Sequence, residues 1–341
     1  MTAMRLILLG VAALLGAAGG GPGAPDEVDF GRPPVEGLWF SRVRQIDTEP
    51  GGEVRADGLG TQRQRQKMVY TEDYSEKIDK VEGRKVTALK RQYVAATTLS
   101  EIETDRMLNP AKDQHEELYS GHDFLVQWGA DGTMSLSVLH TEDPSRPPIG
   151  ENLTLREASE AVRSALEHAF DYPGPFLPAD DRPRRVGDSW TLSEEALNRI
   201  LPRRPDQPLR GTMAITFTAV DPEFAVKVST VEESPEGFLL ARAPVDRKVA
   251  CAVLNARASL RNEPQEGEAL PLRLELSGTL HYSLEHRLIL QFDLAGTLRI
   301  EGTLRDYTFR HGGTYRDRML LQLHEAARVE APVDPQAPED D

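Results

Sequence analysis

Leu272-Arg-Leu-Glu-Leu-Ser-Gly-Thr-Leu-His-Tyr-Ser283 and Leu288-Ile-Leu-Gln-Phe-Asp-Leu-Ala-Gly-Thr-Leu-Arg-Ile300 are the runs that decide the fold. Leu272, Leu274, Leu276, Leu280, Tyr282 and Leu284 share one parity; so do Leu288, Leu290, Phe292, Leu294, Leu298, Ile300 and Leu304. Arg273, Glu275, Ser277, Thr279, His281 and Ser283 fill the gaps of the first run, and Gln291, Asp293, Thr297 and Arg299 those of the second. Side chains alternate across a strand, so this pattern predicts an antiparallel meander with one apolar face and one wet face.

Working outward, strands are expected at Thr212–Val220, Ala225–Val231, Phe238–Ala243, Lys248–Leu260 and Tyr315–Val329, giving a C-terminal β meander over 209–330. An N-terminal β region is expected over 38–148. Its clearest piece is a hairpin: Phe124, Val126 and Trp128, then Gly129-Ala130-Asp131-Gly132, then Met134, Leu136 and Val138. The Gly- and Pro-rich stretch 48–62 reads as a long loop. Between the β regions, 149–208 reads as helical. Thr154 and Glu157 form a capping box ahead of Leu155, Ala158, Val162, Ala165, Leu166, Ala169 and Phe170, and a second short helix starts near Thr191 and buries Leu197, Ile200 and Leu201. The expected fold is α+β, predominantly antiparallel β, with a central helical segment (about 150–202) covering one apolar face. The alternative is a sheet that curls on itself. Whether the β regions form one sheet or two stays open.

The ends carry other signals. Residues 1–19 read as a signal peptide: Arg5, an apolar run from Leu6 to Leu15, then Ala17-Ala18-Gly19 at the cleavage position. The run is too short for a membrane span, and no cysteine follows it to carry a lipid. Residues 20–37 read as a tether and 331–341 as a disordered acidic tail. These features predict a periplasmic or extracellular protein of a bacterial host, with no stable membrane insertion after cleavage. The net charge is −15 over 341 residues, which argues against nucleic acid and anionic membranes as partners. The single cysteine, Cys251, allows no internal disulfide and reads as a buried hydrophobe.

Chemistry is sparse. Gly187-Asp188-Ser189 lacks the later Asp-x-x-His that a serine hydrolase of that type needs, and reads as a turn with Trp190 as core anchor. His115, His122 and Asp123, with Glu116 and Glu117, are weak metal candidates at a spacing that fits neither a His-Glu-x-x-His site nor a calcium loop. No catalytic residue and no cofactor is assigned.

Arg182-Pro183-Arg184-Arg185-Val186-Gly187-Asp188-Ser189-Trp190, with the later Gly278-Thr279-Leu280 and Gly296-Thr297-Leu298, resembles uncharacterised exported bacterial β-rich proteins with a Pro-x-x-Val-Gly-Asp-Ser-Trp turn. The resemblance covers roughly residues 180–325 and implies export and β-richness; it brings no activity to any residue. The function expected first is therefore a soluble, non-catalytic binding module holding an apolar small molecule or an envelope protein. A structural or assembly protein of the cell envelope and a hydrolase are the alternatives.

Overall fold

The computed structural model describes residues 27–56, 60–117, 119–131, 133–139, 174–178, 180, 182–200, 209–233, 239–241, 243–262 and 270–326. The proposed signal peptide, the periodic stretch 154–170 and the tail 331–341 lie outside them. In chain order the strands are β1 (Trp39–Ala56), β2 (Gly60–Glu82), β3 (Lys85–Thr104), β4 (Ala111–Glu116), β5 (Asp123–Trp128), β6 (Met134–Leu139) and β7 (Ser189–Thr191). The helix α1 (Glu194–Ile200) follows, then β8 (Arg210–Glu233), β9 (Leu239–Ala241), β10 (Val245–Arg261), β11 (Leu272–Ser283), β12 (Ile289–Leu304) and β13 (Tyr307–Ala326).

The two β regions form one sheet. Its order is β6-β5-β3-β2-β1-β13-β12-β11-β10-β8-β7, with β4 on β3 and β9 on β8. The first strand joins the last: β1 pairs antiparallel with β13 from Trp39↔His324 to Ala56↔Tyr307. The end of β13 also pairs in parallel with β8, from Gln322↔Lys227 to Ala326↔Val231. That pairing closes a hydrogen-bonded circuit of β8, β10, β11, β12 and β13.

The α+β expectation is overturned. Among the described residues the chain is nearly all strand, α1 is the one helix, and no central helical segment covers an apolar face. The reason is the closure. Because the sheet curls round, the leucine face of β11 and β12 packs on other strands: Leu274, Leu276, Leu280, Leu290, Leu294 and Leu298 are all buried in one core. Phe30 completes it, with its ring 5.5 Å from Trp190, 5.5 Å from Phe217 and 5.0 Å from Tyr282. Phe30 lies in the stretch read as a tether, and it is fully buried.

Closure needs sharply coiled strands, and two glycines permit it. A Cβ on Gly278 would overlap the Asp293 carbonyl oxygen, and one on Gly296 would overlap that of Glu275. Each strand approaches its neighbour too closely for any side chain there. The stretch 48–62 also departs from the loop reading. Thr48 to Ala56 pairs with β13, and residues 60–65 of β2 pair back on β1. Gly52 and Gly313 lie where a Cβ would meet the partner backbone, so the turn-like composition here serves a bent strand.

Other local expectations match. The Phe124–Trp128 and Met134–Leu139 strands pair as a hairpin, closed by Gly129 donating to the Thr133 carbonyl at 2.9 Å. Ser193 caps α1 by accepting from the Ala196 amide at 3.1 Å, and Leu197 and Ile200 are buried. At the Gly187 turn, φ is +99°, the Asp188 carboxylate accepts from the Arg185 amide at 2.9 Å, and Trp190 Nε1 donates to the Phe176 carbonyl at 3.0 Å.

Candidate functional site

Three places on the structure concentrate chemistry. The first is a trough on the outer face where β13, β1, β2 and β3 lie side by side. Glu49, Gly51 and Glu53 of β1 face out, because Ile46 and Thr48 of the same strand face the core. The trough is an open concavity of about 630 Å³ lined by Glu49, Gly51, Gly52, Glu53, Arg63 and Arg65, with Glu103, Asp105 and the Gly312–Thr314 backbone. Its floor is glycine on both strands, Gly51 opposite Gly312. These two differ from their neighbours Gly52 and Gly313. Neither has a positive φ, and a Cβ on either meets nothing closer than ordinary van der Waals contact. The backbone therefore does not require glycine at Gly51 or Gly312; their effect is to leave the floor open. The rim is polar: Arg65 lies 3.6 Å from Glu49, and Lys67 lies 3.9 Å from the same carboxylate.

The second place is a buried charge pair under β2 and β3. Arg91 and Glu76 are direct cross-strand partners with side chains 1% and 0% exposed. Arg91 Nε donates to Glu76 Oε2 at 2.5 Å and Nη1 donates to Tyr93 Oη at 3.0 Å. The guanidinium lies 4.1 Å from the centroid of the Tyr74 ring. Tyr93 packs on Tyr119 at 4.7 Å, and Tyr119 exchanges a hydrogen bond with Tyr70 at 3.0 Å. Burial raises the pKa of all four phenols, so they remain protonated. Two charges this deeply enclosed act on the fold. A second enclosed ion pair does likewise: Arg44 chelates Asp317 at 3.0 and 2.6 Å and donates to the Ile200 carbonyl at 2.5 Å, tying β1 and β13 to the end of α1.

The third place joins residues that sequence spacing could not connect. Ser41 Oγ lies 2.6 Å from His324 Nε2 and 2.8 Å from Ser75 Oγ, with Trp39 stacked edge-on against the imidazole at 5.5 Å. Burial lowers the His324 pKa, so the ring is neutral near pH 7. Its Nδ1 is buried and has no hydrogen-bond partner among the described residues. A serine nucleophile needs a base that a third group orients, and no described residue orients His324 in this way.

The metal candidates do not converge. His115 is exposed on β4 and sits 3.3 Å from Glu117, while His122 is buried just before β5, whose first residue is Asp123. Among the described residues no three His, Cys, Asp or Glu side chains gather as a metal site. Cys251 is fully buried, and burial pushes its thiol up to about 12.

Burial also lowers the pKa of His281, His286 and His311, as it does for His324. The unfolded chain therefore binds protons more readily at these sites than the folded one, so stability rises with pH there. This contribution is complete above the unfolded histidine pKa of about 6.5 and is lost as pH falls below it. The urea midpoint should drop between pH 7.5 and pH 5.5; an equal or higher midpoint at pH 5.5 would contradict the assignment.

No protein-family model matches the chain, and no curated protein matches it. Among solved structures it is similar to "Structure of DynF from the Dynemicin Biosynthesis Pathway of Micromonospora chersina", at 9% identity over 89% of this chain and 88% of that one. The TM-score is 0.18, too low to support anything about fold or activity.

Proposed function

We propose that the chain is an exported, non-catalytic binding module of the cell envelope that takes its ligand on the outer face of the sheet. The observation that carries this reading is the floor of the trough, where Gly51 and Gly312 leave a concavity open without any backbone need for glycine. Small ligands bind in concave sites where a few placed polar groups fix their orientation. An apolar ligand inside the sheet is disfavoured, because the leucine face that would hold it is packed with the protein's own side chains. The rim combines carboxylates (Glu49, Glu53, Glu103, Asp105) with Arg63 and Arg65, which suits a polar ligand offering both signs of charge.

Native mass spectrometry of protein purified from envelope extracts tests this. Wild-type protein should carry a non-covalent adduct that is lost when Gly312→Leu fills the floor. A clean, ligand-free mass, or an adduct that persists in Gly312→Leu, would sink the reading.

A further inference from the structure

The geometry points to a second surface beside the trough: an arginine row across β8, β10, β11 and β12 that binds a linear acidic polysaccharide. Arg261 of β10 pairs in register with Arg210 of β8 on one side and Arg273 of β11 on the other. Arg273 pairs with Arg299 of β12. All four are exposed on the outer face, since the neighbouring positions Leu260, Leu274 and Leu298 are buried on the inner one. At the inter-strand spacing of about 4.8 Å, the four guanidiniums stand abreast over about 14 Å. The next positions along the row are Gly312 and Gly51, followed by Arg65.

Like charges directly opposite one another in a sheet are destabilising. This chain carries 55 acids against 40 Lys and Arg, so partners for a cation are plentiful. Elsewhere on the same face they are used: Arg316 chelates Asp293 at 2.9 and 2.5 Å, and Arg318 reaches Asp47 at 3.1 Å. In the row, Arg210 and Arg261 are engaged by other groups. Arg273 and Arg299 form no side-chain hydrogen bond or ion pair with any described residue. Two adjacent guanidiniums with no partner among the described residues, in an acidic protein, suit a forked carboxylate contact.

The shape of the row selects among polyanions. It is one residue wide, with Glu275 on one flank and Glu301 on the other, so a flat anionic membrane would meet carboxylates on both sides of it. No aromatic side chain stands in the row or beside it on the outer face, so nucleobases would have nothing to stack on. An extended acidic peptide presents same-side residues about 6.8 Å apart, out of step with a ladder of about 4.8 Å. A polyuronate chain is linear, carries one carboxylate on every sugar and needs neither stacking nor a second dimension. This surface lies outside the trough, and it stands or falls separately from the ligand placed there.

The test uses the full chain with polygalacturonate as the probe, in affinity electrophoresis and calorimetry at low salt. Wild-type protein should bind polygalacturonate, release it as salt rises, and ignore neutral dextran. The Arg273→Gln/Arg299→Gln double variant should bind at least about tenfold more weakly, the loss of charge-assisted hydrogen bonds. Its Tm should hold or rise, because like-charge repulsion is relieved; a merely structural role would lower Tm. The Arg273→Lys/Arg299→Lys variant keeps the charge without the fork and should bind between the two. The double Gln variant should keep the adduct ascribed to the trough, since neither Arg273 nor Arg299 lines it. No binding at low salt, wild-type affinity in the double Gln variant, or a fall in its Tm would overturn the proposal. So would tighter arginine-dependent binding of oligothymidylate or of phosphatidylglycerol vesicles.

Discussion

Glu76→Leu should destabilise the protein by about 3–5 kcal/mol, the cost of leaving one member of an enclosed ion pair behind. Arg91 would keep its charge with its side chain 1% exposed, and it would lose the carboxylate that pairs with it directly. The Tyr93 hydroxyl and the Tyr74 ring, which also contact it, carry no charge. Denaturant unfolding followed by tryptophan fluorescence reads the loss directly. The double variant Glu76→Leu/Arg91→Met should recover most of it, since a well-packed apolar pair of similar volume is often as stable as a buried ion pair. A Glu76→Leu cost under about 1 kcal/mol would place the pair among ordinary surface bridges and contradict its burial.

The pair also bears on register. β2 and β3 have register shifts at three places, between Asp73/Tyr74, Ile78/Lys80 and Lys80/Val81. A strand pair with so many irregularities has a weak alternation to hold it in step. Glu76 and Arg91 sit between those shifts, and only one alignment brings them together. Their electrostatic cost is thus set against a specific pairing of the two longest N-terminal strands.

The reach of sequence reading follows from what each feature depends on. The Leu272–Leu304 periodicity is a property of single strands, so the greasy face, the meander and the hairpin at Phe124 were all legible. Closure was not, because it depends on which strand β13 meets, and the parallel pairing with Lys227–Val231 leaves no local mark. A one-faced sheet implied a cover, either the helical segment or the sheet curled on itself, and only the pairing of β13 with β8 decides for the second. The Glu49-Pro50-Gly51-Gly52 stretch read as loop because glycine and proline ordinarily punctuate; here Gly52 of β1 and Gly313 of β13 let the two backbones approach. Arg91 and Glu76 were hidden as ordinary polar residues within an alternating strand. Ser41 and His324 lie 283 positions apart. The arginine row was equally invisible: each member fills the polar place of its own strand, and only register sets them abreast.

Glycine itself gives the sharpest contrast. Gly296→Ala and Gly312→Ala make the same chemical change in adjacent strands, and they should have opposite outcomes. At Gly296 the new methyl would overlap the Glu275 carbonyl oxygen, a backbone atom that cannot swing aside. β11 and β12 would have to separate or uncoil, and because these strands belong to the closed circuit the strain would reach its seam between β8 and β13. The expected cost is about 3 kcal/mol, the upper end for overpacking a tight site. At Gly312 the methyl meets only the Leu298 carbonyl oxygen at 4.0 Å, and φ is not positive, so the native conformation accepts alanine. Replacing a flexible residue there restricts the unfolded chain, which favours the folded state by about 0.4–1 kcal/mol. Thermal melts of the two variants decide the matter: Gly296→Ala should melt well below the wild type and Gly312→Ala at or above it. A destabilised Gly312→Ala would show that the trough floor needs glycine for its own backbone, and the case for a floor kept open for a ligand would fall with it.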